Sequence, residues 1–254
     1  MTMMTFKERL QGTDRLTAHI VNIPSATVTQ AIAAAGADAV IVDFEHGAID
    51  HASAHAMIAA TAGTNCAPLV RVAENDTAQV KRVLDLGAEG VVFPLIRSAE
   101  EAQRAVASLH YPPNGNRGFG PFMAHARWGI PLMDYREAVD DKVVCCLLIE
   151  TRDAVENIDA ICAVPGIDLI IPATFDLSTD LGVSGQFDHP DLHAALTKIE
   201  DATSAANIPL GAVCLAEAQA QTLIAKGYRV FCGFDLIWMG AKAAEVQEWI
   251  STSD

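Results

Sequence analysis

Basic residues are scarce in this chain. Seventeen Lys and Arg stand against 32 Asp and Glu in 254 residues, a formal net charge of −15. No basic cluster is longer than a pair, so the chain lacks the footprint that releases counterions from nucleic acid or docks on an anionic membrane. Long apolar runs are missing too. The longest, Val143 to Ile149, is far too short to span a bilayer. The opening MTMMTFKERLQG has no apolar h-region and no small-residue cleavage site, so nothing in it marks export. Among the six cysteines, Cys66, Cys145, Cys146, Cys162, Cys214 and Cys232, there is no C-x-x-C pair. They read as small buried thiols in a reducing compartment, not as a disulfide framework. Lysine is absent from the interior of every strand-like run, which argues against a Schiff base built on a strand lysine. What remains is an acidic, cytoplasmic protein that handles small molecules, with neither nucleic acid nor membrane as partner.

Eight short apolar runs are present, at 16–21, 39–44, 67–72, 90–96, 143–150, 169–176, 208–214 and 229–234. They are near-continuously apolar, not alternating, which suits strands of a parallel sheet covered on both faces. Helical periodicity fills most of the gaps, as in TAQVKRVLDLG, AEEAQRAVASL and AEAQAQTLIAKG. Gly36, Gly87 and Gly227 each follow a helical run and precede a strand, the position where a left-handed residue ends a helix. Eight strands with right-handed crossovers, about 30 residues per unit, predict a single (β/α)8 TIM barrel over 1–254, with a doubly wound open sheet as the alternative. The connection from Arg97 to Asp141 holds one helix and the Pro/Gly-rich loop YPPNGNRGFGPF, and its length predicts a role at the active-site mouth.

In a barrel the C-terminal strand ends and the loops after them share one mouth. The second run delivers Asp43, Glu45 and His46, the third Arg71, the fifth Glu150, the sixth Asp176 and the eighth Asp235. Carboxylates gathered this way raise one another's pKa unless a cation neutralises them, and a divalent metal does so economically. Oxygen ligands favour Mg²⁺, Mn²⁺ or Co²⁺. Glu150 and Asp176 are the first choice as ligands, because each closes an apolar run; the competing reading makes each a helix cap or an ordinary ion-pair member. His46 reads as a base acting directly or through a metal-bound water, or as a hydrogen-bonded rim histidine. Arg71 lies inside a strand, where a guanidinium is costly unless carboxylates or an anionic substrate pair with it. His51 and His55 share a helix face with no metalloprotease glutamate between them. GNRGFG lacks the lysine of a phosphate loop, but its Arg117, with Arg127, remains a candidate for holding a substrate carboxylate.

VDFEHG, PLVRV, VLDLGAEGVVFPLI, HYPPNGNRGFGP with ARWG, LLIETRDAVENIDAI, PGIDLIIPATFDLSTDLG and GFDLIWM occur in this order. On these motifs, nearly end to end, the chain resembles the HpcH/HpaI family of class II, pyruvate-specific aldolases, which includes 4-hydroxy-2-oxoheptanedioate aldolases. The resemblance implies a barrel assembled as a homohexamer, a trimer of dimers that swap C-terminal helices. It implies Glu150 and Asp176 as metal ligands and His46 as catalytic base. It makes Arg71 the residue that binds the keto oxygen and stabilises the enolate, and Asp85 a carboxylate that raises the basicity of the histidine. The sequence places Asp85 near a helix end on the far side of its own barrel, so either a neighbouring subunit supplies it or Asp43 orients His46.

Two departures from the family pattern stand out. Ala173-Thr174-Phe175-Asp176 stands where Gly-Pro-x-Asp is common, on the backbone that cradles the pyruvate carboxylate, and Leu148 replaces a glutamine that contacts substrate in some members. The implied reaction is metal-assisted cleavage of a 4-hydroxy-2-oxo acid to pyruvate and an aldehyde. The alternatives are an oxaloacetate decarboxylase or a citrate-synthase-like enzyme on the same site, or a keto-acid-binding barrel without turnover.

Overall fold

The computed structural model describes residues 4–251. Eight strands, β1 (Leu16–Val21), β2 (Ala39–Asp43), β3 (Ala67–Arg71), β4 (Gly90–Phe93), β5 (Val144–Ile149), β6 (Leu169–Pro172), β7 (Gly211–Val213) and β8 (Val230–Cys232), form one sheet in the order β6-β5-β4-β3-β2-β1-β8-β7. Every pairing is parallel. The two ends of the order meet where Ile170 N–H donates to the Pro209 carbonyl at 3.1 Å, beside an Ile170–Leu210 bridge. That contact bends the sheet into a nearly closed barrel with helices between the strands, so the open-sheet alternative does not apply.

The apolar runs are unbroken because both faces of each strand are buried. Alternate residues such as Leu16, Ala18, Ile41, Leu69, Val92, Cys146 and Ile171 fill the barrel interior. Their neighbours, among them Val40, Val42, Val70, Val91 and Leu147, pack outward under the helices. The lower end is plugged by the helix Phe6–Gln11, whose Phe6 and Leu10 join the interior cluster. A reciprocal capping box starts that helix: Glu8 N–H donates to Thr5 Oγ1 at 3.2 Å and Thr5 N–H to Glu8 Oε2 at 2.7 Å. All six cysteines are unpaired and five are buried. Among the described residues no helix is long and apolar enough to cross a membrane.

The long connection does not shape the mouth. The helix Ala99–Leu109 carries the chain back to the N-terminal end of the strands, and the remainder stays there. Arg127 bonds Glu89 and Thr61, each at 3.1 Å, just before β4 and β3 begin. Arg117 donates to Asp85, the last residue of the helix Thr77–Asp85, at 3.0 Å. The length seen in the sequence is spent covering the bottom of the barrel. At the other extreme of the chain, the helix Asp235–Ser251 buries only Asp235, leaving Trp249 57% and Ile250 70% exposed.

Candidate active site

Strand register creates the centre of the site. Asp43 and Arg71 end β2 and β3 and are direct partners across that pair. Arg71 Nε donates to Asp43 Oδ1 at 2.8 Å and Nη2 to Oδ2 at 2.6 Å, a fork that fixes the guanidinium plane. Asp43 is fully buried and also accepts from Asn22 Nδ2 at 2.5 Å and from the backbone N–H groups of Glu45 (3.0 Å) and His46 (3.3 Å). Burial opposes its charge, but the Arg71 hydrogen bonds and backbone donors outweigh it and hold Asp43 below the ordinary carboxylate range. The turn is tight: a Cβ on Gly47 would lie 2.3 Å from the Asp43 carbonyl oxygen. Glycine is thus required for Glu45 and His46 to fold back over the strand end.

Glu45 leans on the same cation, its Oε2 3.2 Å from Arg71 Nη1 and 3.8 Å from His46 Nε2. That oxygen is buried and within ion-pair range, yet neither contact has hydrogen-bond geometry. Burial pushes Glu45 up, with Asp43 and Asp176 adding to the effect against Arg71 and His46. Glu150, directly after β5, is buried and accepts from Leu95 N–H. Leu95 takes a left-handed φ of 55°, unusual for a residue with a Cβ, to present that donor. Burial raises Glu150 to about 7; Glu45 and Asp176 raise it further, while Leu95 and Arg71 oppose.

Asp176 corrects the sequence reading. β6 ends at Pro172, and Asp176 stands exposed in the first turn of the helix Thr174–Asp180 instead of terminating a strand. Because that helix starts at the upper end of β6, Asp176 still reaches the mouth, where it acts electrostatically on both Glu45 and Glu150. Leu177 N–H is the first of the helix to close back, onto Ala173 at 2.9 Å, and the amides of the opening turn precede it. Ala173 keeps a φ of −84°, so its Cβ is accommodated without strain. A pocket over the barrel interior is lined by Arg71, Leu148, Ala173, Thr174, Phe175 and Asp176 together with apolar residues of the strands. The imidazole of His46 stands at its rim, 62% exposed.

Other expected residues are elsewhere. Asp235 accepts from the N–H groups of Asn22, Ile23 and Leu236 (2.7–3.2 Å), tying the loop after β1 to the last helix, and among the described residues it joins no metal-holding cluster. Arg117 is fully buried at the opposite end, between Tyr111 and Tyr135 and against Asp85, so this chain does not bring it to its own pocket. Asp85 shares that location and does not meet His46 within the chain. Asn22 carries no sequence signal beyond being a polar residue directly after the first apolar run.

The donor set has the chemistry a divalent cation takes, but its three carboxylates do not all come within 4.8 Å of one another; among the described residues His110, Asp140 and Asp141, on the long connection, meet that spacing. Three carboxylates, Glu45, Glu150 and Asp176, act on one another around a single guanidinium, and a buried oxygen of Glu45 lacks a hydrogen-bond donor. A hard cation would relieve both features.

Comparison with known proteins agrees with this fold. The model of the HpcH/HpaI aldolase/citrate lyase family matches residues 20–239. The chain is 33% identical over 242 residues, 94% of each protein, to the hydroxypyruvate/pyruvate aldolase of Chromohalobacter salexigens. It is 35% identical over 223 residues, 87% of each, to the 2-dehydro-3,6-dideoxy-6-sulfogluconate aldolase of Pseudomonas putida. The crystal structure of an HpcH/HpaI aldolase from Desulfitobacterium hafniense superposes with a TM-score of 0.92 at 28% identity, covering 99% of this chain and 98% of that one.

Proposed function

The chain belongs to the HpcH/HpaI aldolase/citrate lyase family, and on that premise we propose that it is a metal-dependent aldolase, cleaving 4-hydroxy-2-oxo acids to pyruvate and an aldehyde and forming them in reverse. The observation that carries this reading is the buried Arg71, clamped by Asp43 beside the buried Glu150 at the pocket. Glu150 and Asp176, with Glu45 adjoining, are the residues to hold Mg²⁺, Mn²⁺ or Co²⁺. Such an ion, when bound, polarises a 2-oxo acid as a Lewis acid.

The protein's own residues account for the rest. His46, exposed at the rim, takes the proton of the C4 hydroxyl. The electrons of that O–H bond form the aldehyde carbonyl, and the C3–C4 pair passes into the pyruvate enolate. Negative charge grows on the former keto oxygen, to which Arg71 donates through N–H groups not engaged by Asp43. A fixed donor of this kind is typically worth roughly 10²–10³ in rate. His46 then returns the proton to C3, giving pyruvate.

The test is pyruvate in D₂O with Mn²⁺ or Mg²⁺, followed through its methyl protons by NMR. Exchange that requires the metal and is lost in His46→Ala is the expected result. Methyl protons that stay put in the metal-loaded protein would instead indicate a keto-acid-binding barrel without turnover.

A further inference from the structure

We infer that the aldehyde half of the substrate is uncharged and apolar, and that Phe175 and Phe187 form the edge on which its chain lies. The inference rests on the aldolase reading and names the substrate class for that site.

Phe175 is adjacent to Asp176 in the opening turn of the helix Thr174–Asp180 and lines the pocket with Arg71. Phe187 meets it edge to face, ring centroids 5.0 Å apart and planes at 80°. Both rings are partly open to water, at 46% and 43% exposure. They are nevertheless held in place. The segment between them is closed by hydrogen bonds from Gly185 N–H to Ser178 Oγ (3.1 Å), Gln186 N–H to Val183 O (2.9 Å) and His189 N–H to Gln186 O (3.0 Å). Two oriented aromatic rings with free faces at a pocket mouth offer apolar area at little entropic cost.

The remaining walls point the same way. Once the 2-oxo acid end occupies the Arg71 and Asp176 side, the rest of the lining carries no charge: Thr174 is its one hydroxyl, and apolar residues such as Leu148, Val213 and Phe234 stand over a floor of barrel-interior side chains, Val92 and Ile171 among them. Arg71 is the one basic residue of that lining, and its charge is already balanced by Asp43 and Glu45, whatever N–H groups it has left to donate. Even with a dication and the Arg71 charge in place, Asp43, Glu45, Glu150 and Asp176 leave the centre net negative before the 2-oxo acid adds its own carboxylate. A carboxylate, sulfonate or phosphate on the aldehyde would enter that field with no counter-charge from the lining residues.

The test has two stages. Metal-loaded wild-type protein is first assayed for C3–H exchange of pyruvate in D₂O, which needs no aldehyde. Failure there overturns the aldolase reading itself. With exchange established, kcat/KM for addition of pyruvate is compared between a straight-chain aliphatic aldehyde and the ω-carboxylated aldehyde of equal length. The expected preference for the aliphatic compound is about tenfold or more. Phe187→Ala should cut that ratio several-fold and Phe187→Leu should restore part of it. Phe187→Lys should shift the ratio toward the carboxylated compound. Equal or better turnover of the carboxylated aldehyde by the wild type overturns the inference. So does a ratio that neither Phe187→Ala nor Phe187→Lys moves.

Discussion

Arg71 and Asp43 are facing partners on neighbouring strands and are joined by two parallel hydrogen bonds of 2.8 and 2.6 Å. The pair puts a cation whose orientation is set by the sheet at the top of the barrel, where a flexible side chain would be a poor oxyanion donor. Arg71→Lys keeps a charge but loses the fork, so the metal-dependent exchange of pyruvate should fall roughly 10²–10³-fold. Arg71→Met leaves Asp43 buried without its cation and should cost about 3–5 kcal/mol of stability by denaturant unfolding. A variant that keeps its exchange rate after either change would remove Arg71 from the enolate step.

Glu150 sets a pH dependence. Its carboxyl is raised to about 7 from an ordinary 4.5, chiefly by burial. The metal-free native state therefore keeps a proton that the unfolded chain releases. This contribution to stability is complete below pH 4.5 and is lost as pH climbs through about 7, on the order of 3 kcal/mol in all. Melting of the metal-free protein between pH 5 and 8 should show the decline, and Glu150→Gln should flatten it. Added Mn²⁺ should raise the melting temperature most at the alkaline end, where the carboxylate is ionised without competition from protons. A uniform metal effect across that range would argue against Glu150 as a ligand.

Much of this was legible in the sequence because it depends on local rules. Gly36, Gly87 and Gly227 adopt φ of 97°, 106° and 90°, the left-handed helix ends that their spacing predicts. Unbroken apolar runs gave two-sided burial, and a charged residue inside one of them, Arg71, announced a paired site. What escaped depends on three-dimensional placement. The polar end of the sixth apolar run reads as continuous strand, yet the chain leaves the sheet at Pro172 and turns helical from Thr174. The stretch 97–141 looks like an active-site loop by length alone, and only the path of the helix Ala99–Leu109 sends it below the barrel. Phe187 carries no pattern of its own; a tight turn returns it to Phe175.

Asp85 and His46 lie at opposite ends of one barrel, so a link between them requires a second copy. The Arg117–Asp85 pair at 3.0 Å holds the carboxylate in a fixed place from which a neighbouring subunit could receive it. Mixing and refolding inactive His46→Ala with inactive Asp85→Asn should then rebuild up to roughly a quarter of the sites, since a site made from two chains draws one intact residue from each. If the mixture stays inactive while each variant still assembles, Asp43, which already bonds the His46 N–H at 3.3 Å, is left to orient the histidine.

The last helix makes a related demand. Leu236, Trp238, Met239, Trp249 and Ile250 are between 38% and 70% exposed on a helix with a single buried residue, Asp235. We expect this apolar strip to be an association surface, with a second copy of the chain as the occupant that the swapped-helix resemblance implies. Lys242 stands over the Trp249 ring, 5.0 Å from its centre. Ile250→Asp places a charge in that surface and should lower the mass seen by light scattering. The barrel itself should keep its melting transition, because Ile250 packs on nothing in its own core. An unchanged mass would mean that association, where it occurs, uses another face.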